Sequence, residues 1–155
     1  MYYTHVEDYV ESLFLSIGVF YPNQLDAHYI AKKLGVEIVY RDHALRFANE
    51  VVLRKGSDEF EWQLFGHEIC HYLIHAGCQL NMHPLFIDLQ EYQANHFSYH
   101  FCVPTFMLRN LENVTVQTTM MNFTVDYDFA CRRLEMYKNK FYSQEVYHES
   151  HFIGS

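Results

Sequence analysis

The run His67-Glu68-Ile69-Cys70-His71 places two imidazoles four residues apart, with a carboxylate directly after the first. On a helix, at about 100° per residue, the histidines differ by about 40° around the axis and by one turn along it. Both can then reach one ion at the ~2.0–2.1 Å of a zinc–nitrogen bond. Glu68 lies about 100° round from His67, so it flanks the ion instead of binding it. That is where a general base stands to take a proton from a metal-bound water, so this HExxH points to metal-assisted hydrolysis. Leu64, Phe65, Ile69, Tyr72 and Leu73 around it predict a packed helix.

A hydrolytic site needs three protein ligands and one open position. His75 lies about 12 Å along an unbroken helix from His67, too far for one ion, and suits an orienting or packing role. Glu91, on the next expected helix, is the first choice for a set of two histidines and one glutamate, and Asn95 shares its face and can orient a ligand. Asp88, one turn earlier, competes with it, with His83, His96 and His100 behind. Tyr92, Tyr99, His75 and His100 are the candidates for stabilising an oxyanion. Zinc is the expected ion, though such ligands also suit Mn2+ or Fe2+. A closed structural zinc site needs a fourth ligand, and the Cys and His residues show no paired spacing for one.

The elements that must position these residues show as changes of period. Val6, Tyr9, Val10, Leu13 and Phe14 predict a helix over His5–Ser16, and Leu25, Tyr29, Ile30 and Leu34 a second that stops at Gly35. The runs VEIVY, ALRF and EVVLR then predict a small antiparallel sheet of about three strands. The HExxH helix is expected from Phe60 to Ala76, ending at Gly77, and the glutamate helix from Phe86 to Val103, ending at Pro104. Helical pieces follow to Tyr142, and SQEVYHESHFIGS reads as a loose tail. This order predicts an α+β fold, mostly helical, with the small sheet beside the HExxH helix.

With 155 residues, half of them hydrophobic, the chain supports one core. Its net charge of -8 argues against affinity won by neutralising phosphates, so no direct nucleic-acid partner is expected. The opening MYYTHVEDYV lacks a basic leader region, and the apolar stretch from Leu13 to Tyr21 is too short to span a bilayer. Cys70, Cys78, Cys102 and Cys131 form no CxxC pair and read as buried thiols of a reducing compartment, which suggests the cytoplasm. The segment VDYDFACRRLEMYKNK carries Arg132, Arg133, Lys138 and Lys140, yet Asp126, Asp128 and Glu135 dilute it, favouring a structural helix over a DNA-reading one.

The pair HEICHYLIH and EYQANHFSYHFCVP resembles the ImmA/IrrE family of metallopeptidases, whose second motif has the form ExxANxFAxxLLMP. Glu91, Ala94, Asn95, Phe97 and Pro104 match it outright, and QLDAHYIAKKLGVEIVY is similar to the family's upstream helix and strand. The likeness runs over about residues 20 to 138, with Cys70 where the family usually has Gly, and Phe65-Gly66 in place of a Leu-Ala pair. It implies a zincin-like fold with metal ligands His67, His71 and Glu91 and catalytic base Glu68. The chain is read as a metallopeptidase core over residues 1–104, a helical extension over 105–142 packed on it and a tail over 143–155. The function implied is that of a gluzincin-like zinc endopeptidase cleaving a helix-turn-helix repressor of a phage, mobile element or stress response, an antirepressor. The alternative is a regulatory binding module that displaces its partner without hydrolysis, against which the intact Glu68 argues, since binding needs no general base.

Overall fold

The computed structural model describes residues 4–42, 47–75 and 82–152, the stretch 141–152 by its backbone alone. Helix α1 (His5–Ser16) starts at a reciprocal cap: the Thr4 hydroxyl accepts from the Glu7 amide while Glu7 accepts from the Thr4 amide. A 3-10 turn over Pro22–Gln24 leads into α2 (Ala27–Leu34), capped by Asp26 and closed at Gly35 with φ 72°, a left-handed geometry that glycine adopts without strain. Both helices lie where their apolar spacing predicts.

The sheet differs from expectation. Strands β1 (Glu37–Tyr40) and β2 (Glu50–Leu53) pair in parallel, Glu37 opposite Glu50 and Tyr40 opposite Leu53. Among the described residues, two parallel strands thus stand where three antiparallel ones are expected. Of the middle run ALRF, only Phe47 is among the described residues, and it lies outside both strands. Apolar strand runs do not encode direction, and no Asn-Gly or Asp-Gly hairpin signal joins these two. Residues 41–49 are enough chain to return along a four-residue strand and start again in the same sense.

Helix α3 (Asp58–Leu73) is capped by Ser57 and carries Asp58, Glu59 and Glu61 in its first turn, where the helix dipole favours acids. Helix α4 (Pro84–Cys102) begins at His83, and α3 against α4 is the most extensive packing between elements. Short α5 (Thr105–Leu108) and α6 (Val116–Phe123) follow, and α7 (Tyr127–Phe152) runs on through the stretch read as a tail. Gly66 sets how close α3 and α4 come: a Cβ there would sit 2.5 Å from Cys102 Sγ, so the family's usual alanine would collide.

Phe101, fully buried, lies 4.8 to 5.8 Å by ring centroids from Phe14, Trp62, Phe65 and Phe97, joining α1, α3 and α4. Each such side chain contributes about 1.5–3 kcal/mol through burial. Among the basic residues of α7, Arg133 is fully buried, donating to the Val103 carbonyl at 3.0 Å and to Thr105 Oγ1 at 2.8 Å, a structural role. Cys70 and Cys102 are buried free thiols and Cys131 is half-buried, whereas Cys78 and Gly77 lie outside the described residues. Among the described residues no helix is long and apolar enough to cross a membrane.

Candidate metal centre

Because α3 stays regular through the motif, His67 and His71 project to one side, a turn apart, and α4 brings Glu91 opposite. His67 Nε2 lies 3.3 Å from His71 Nε2, and the Glu91 carboxylate reaches both, at 3.1 Å and 3.3 Å. Among the described residues, these three form the one group of potential ligands that converges within 4.8 Å.

The far side of each imidazole fixes where its proton sits. Asn95 Oδ1, an acceptor, is 2.9 Å from His67 Nδ1, so that nitrogen carries the hydrogen and Nε2 a lone pair. His75 Nε2 donates to Gln93 Oε1 at 2.9 Å, which leaves its Nδ1 to accept from His71 Nδ1 at 3.0 Å. His71 Nε2 is thereby also a lone pair. Two imidazole lone pairs and a carboxylate facing one point repel each other unless a cation stands between them, so the donor set fits a divalent metal.

Helix α3 ends at Leu73, three residues earlier than expected, yet the His75 ring lies 5.0 Å by centroids from that of His71, the same spacing as His67 to His71 one turn earlier. The expected unbroken helix to Ala76 is shorter than read, and His75 Nδ1 stands 3.0 Å from His71 Nδ1. Gln93 escaped the sequence reading because nothing in its spacing marks it as a partner of His75. Asp88 is exposed outside the group and His83 caps α4, so neither competes with Glu91. His100 is buried away from the cluster beside His96, and burial with the nearby Arg133 charge pushes its pKa down to about 3. Tyr92 is 69% exposed. Burial pushes the Cys70 thiol up to about 12, leaving it inert within the motif.

A cleft of about 430 Å³ opens beside the cluster, lined by His67, Glu68 and Asn95 together with Leu64, Tyr99 and Phe129. Its size suits a few residues of a bound chain. Glu68 thus borders both the ligand group and the space a substrate would enter.

A mostly helical α+β domain whose two central helices converge two histidines and a glutamate beside such a cleft has the make-up of a metal-dependent hydrolase. The chain belongs to the Peptidase_M78 metallopeptidase family, whose model of the IrrE N-terminal-like domain matches residues 22–135. It is 39% identical over 150 residues to the phage-like element PBSX protein XkdA of Bacillus subtilis strain 168, spanning 90% of this chain and 76% of that protein. It is 33% identical over 148 residues to the uncharacterized protein YqaB of the same strain, spanning 88% and 86%. No solved structure matches it.

Proposed function

We propose that this protein is a zinc-dependent endopeptidase that hydrolyses a peptide bond in a regulatory protein, namely a helix-turn-helix repressor of a phage or mobile element. One observation carries the reading: the Nε2 atoms of His67 and His71 and the Glu91 carboxylate converge as three acceptors, with Asn95 and His75 holding the protons on the outer nitrogens. His67, His71 and Glu91 would hold the ion, which when bound supplies polarisation of a carbonyl and acidification of a water. Glu68 takes the proton of the attacking water and passes it to the departing amine nitrogen. Tyr99, in the cleft wall, is better placed than Tyr92 or His100 to steady the carbonyl oxygen as charge develops there.

Kinship with a phage-element protein supports the regulatory setting, and a chain of net charge -8 suits a basic DNA-binding partner. The reading is tested by elemental analysis of wild type and Glu91→Ala prepared without added metal or a metal-binding tag. One equivalent of zinc, lost in the variant, is expected. Glu68→Gln should keep the metal and lose cleavage of a helix-turn-helix repressor substrate. Wild type that stays metal-free after zinc is supplied would overturn the mechanism.

A further inference from the structure

The cleft beside His67 and Glu68 is chemically two-sided. Its floor holds buried Phe129 and Ser98, and Tyr99 lies against Phe129 with ring centroids 4.4 Å apart, next to Leu64. Leu64, Phe129 and the Tyr99 ring thus give the cleft an apolar patch that suits an apolar side chain, beside the polar Gln63, Asn95 and Ser98. At the rim stands exposed Arg54, its guanidinium 5.7 Å over the ring of Phe60. Arg54 makes no ion pair among the described residues, and Glu68 is the cleft's one acidic lining residue among them. Nearby Asp126 is engaged by Gln63, accepting from its side chain and donating to it through the backbone, each at 2.8 Å. In a chain of net charge -8, the rim therefore presents a cation placed by Phe60 directly beside an apolar floor.

We infer that this cleft is a subsite for an extended polypeptide in which an apolar side chain fills the floor and a neighbouring acidic side chain pairs with Arg54. The guanidinium offers a planar fork that matches a carboxylate, and the aromatic ring beneath it limits the freedom lost on pairing. The inference rests on the peptidase reading for the fate of the bound segment, but binding itself can be measured without hydrolysis.

The test uses full-length Glu68→Gln protein, in which peptides stay intact, titrated calorimetrically with blocked alanine-based hexapeptides. The central pairs are Phe-Asp, Ala-Asp and Phe-Lys, each in both orders. In one order, Phe-Asp should bind at least about tenfold tighter than Ala-Asp. It should bind about fivefold tighter than Phe-Lys, and adding Arg54→Glu, an exposed substitution that leaves the floor intact, should reverse that second preference. No measurable binding, equal affinities across the panel, or an Asp preference that survives Arg54→Glu would each overturn the inference. If the preferences hold while wild type cleaves nothing, the peptidase reading fails and the subsite stands.

Discussion

Glu7→Gln is the substitution whose cost the structure defines most closely. Glu7 is 5% exposed and sits at the centre of a relay in which Arg133 donates to Thr105 at 2.8 Å and Thr105 to Glu7 at 2.6 Å. The Thr4 amide and Lys140 Nζ donate to its other oxygen. Burial alone would raise the carboxyl, but the bonds from Lys140, Thr105 and Thr4 outweigh it and hold the pKa at about 2 against an ordinary 4.5. That gap is worth about 3 kcal/mol at ~1.36 kcal/mol per pH unit. Because the folded value is the lower one, the stabilisation is complete above pH 4.5 and is lost as the pH falls through 2. Urea unfolding at pH 7 should show Glu7→Gln less stable by about 3 kcal/mol, and the difference should fall to about half by pH 3. Both proteins also lose stability below pH 6.5, where the buried His100 resists protonation that the unfolded chain accepts. A loss under about 1 kcal/mol at pH 7, or a Glu7 carboxyl carbon titrating near 4.5 by NMR, would refute the relay as an energetic unit.

Two further predictions concern the metal-bearing helices. Asn95→Ala, an exposed change, should weaken zinc binding by about 10–100-fold in chelator competition while barely moving the urea midpoint; unchanged affinity would overturn the proton placement argued for His67. Gly66→Ala sets about 1–3 kcal/mol of crowding at Cys102 against about 1 kcal/mol of helix propensity, for a net loss of roughly 1 kcal/mol. Cys102→Ala in that background should recover part of the loss in thermal melts, and a more stable single variant would show that the contact relaxes freely.

What the sequence revealed follows the range of each interaction. His67 and His71 were readable because two ligands four residues apart on one helix are a local arrangement, set by helical pitch alone. Glu91 needed the contact between two helices, and spacing by itself left Asp88 in contention; the family motif, and then the geometry, separated them. The parallel sense of β1 and β2 was invisible because four-residue apolar strands pair either way. His75 was misplaced on a continuing helix because no glycine or proline interrupts the pattern before Gly77, although α3 stops at Leu73. Arg133 looked like surface charge, and only its enclosure with Thr105 and the Val103 carbonyl makes it part of the interior.

The orientation of both imidazoles on α3 is decided from α4. Asn95 sets His67 directly, and Gln93 sets His71 through His75, while Glu91 on the same helix brings the third potential ligand atom. A shift between the two helices would disturb ligand distances and proton placement together. The contacts that fix that shift lie away from the three acceptors: the close approach of Gly66 to Cys102 and the rings around Phe101. Three inward-facing acceptors are unfavourable in each other's company, so the core holds them together and a cation entering finds them already aligned. Residues that never touch the site therefore set how its three acceptors align, as much as the motif that first reveals it.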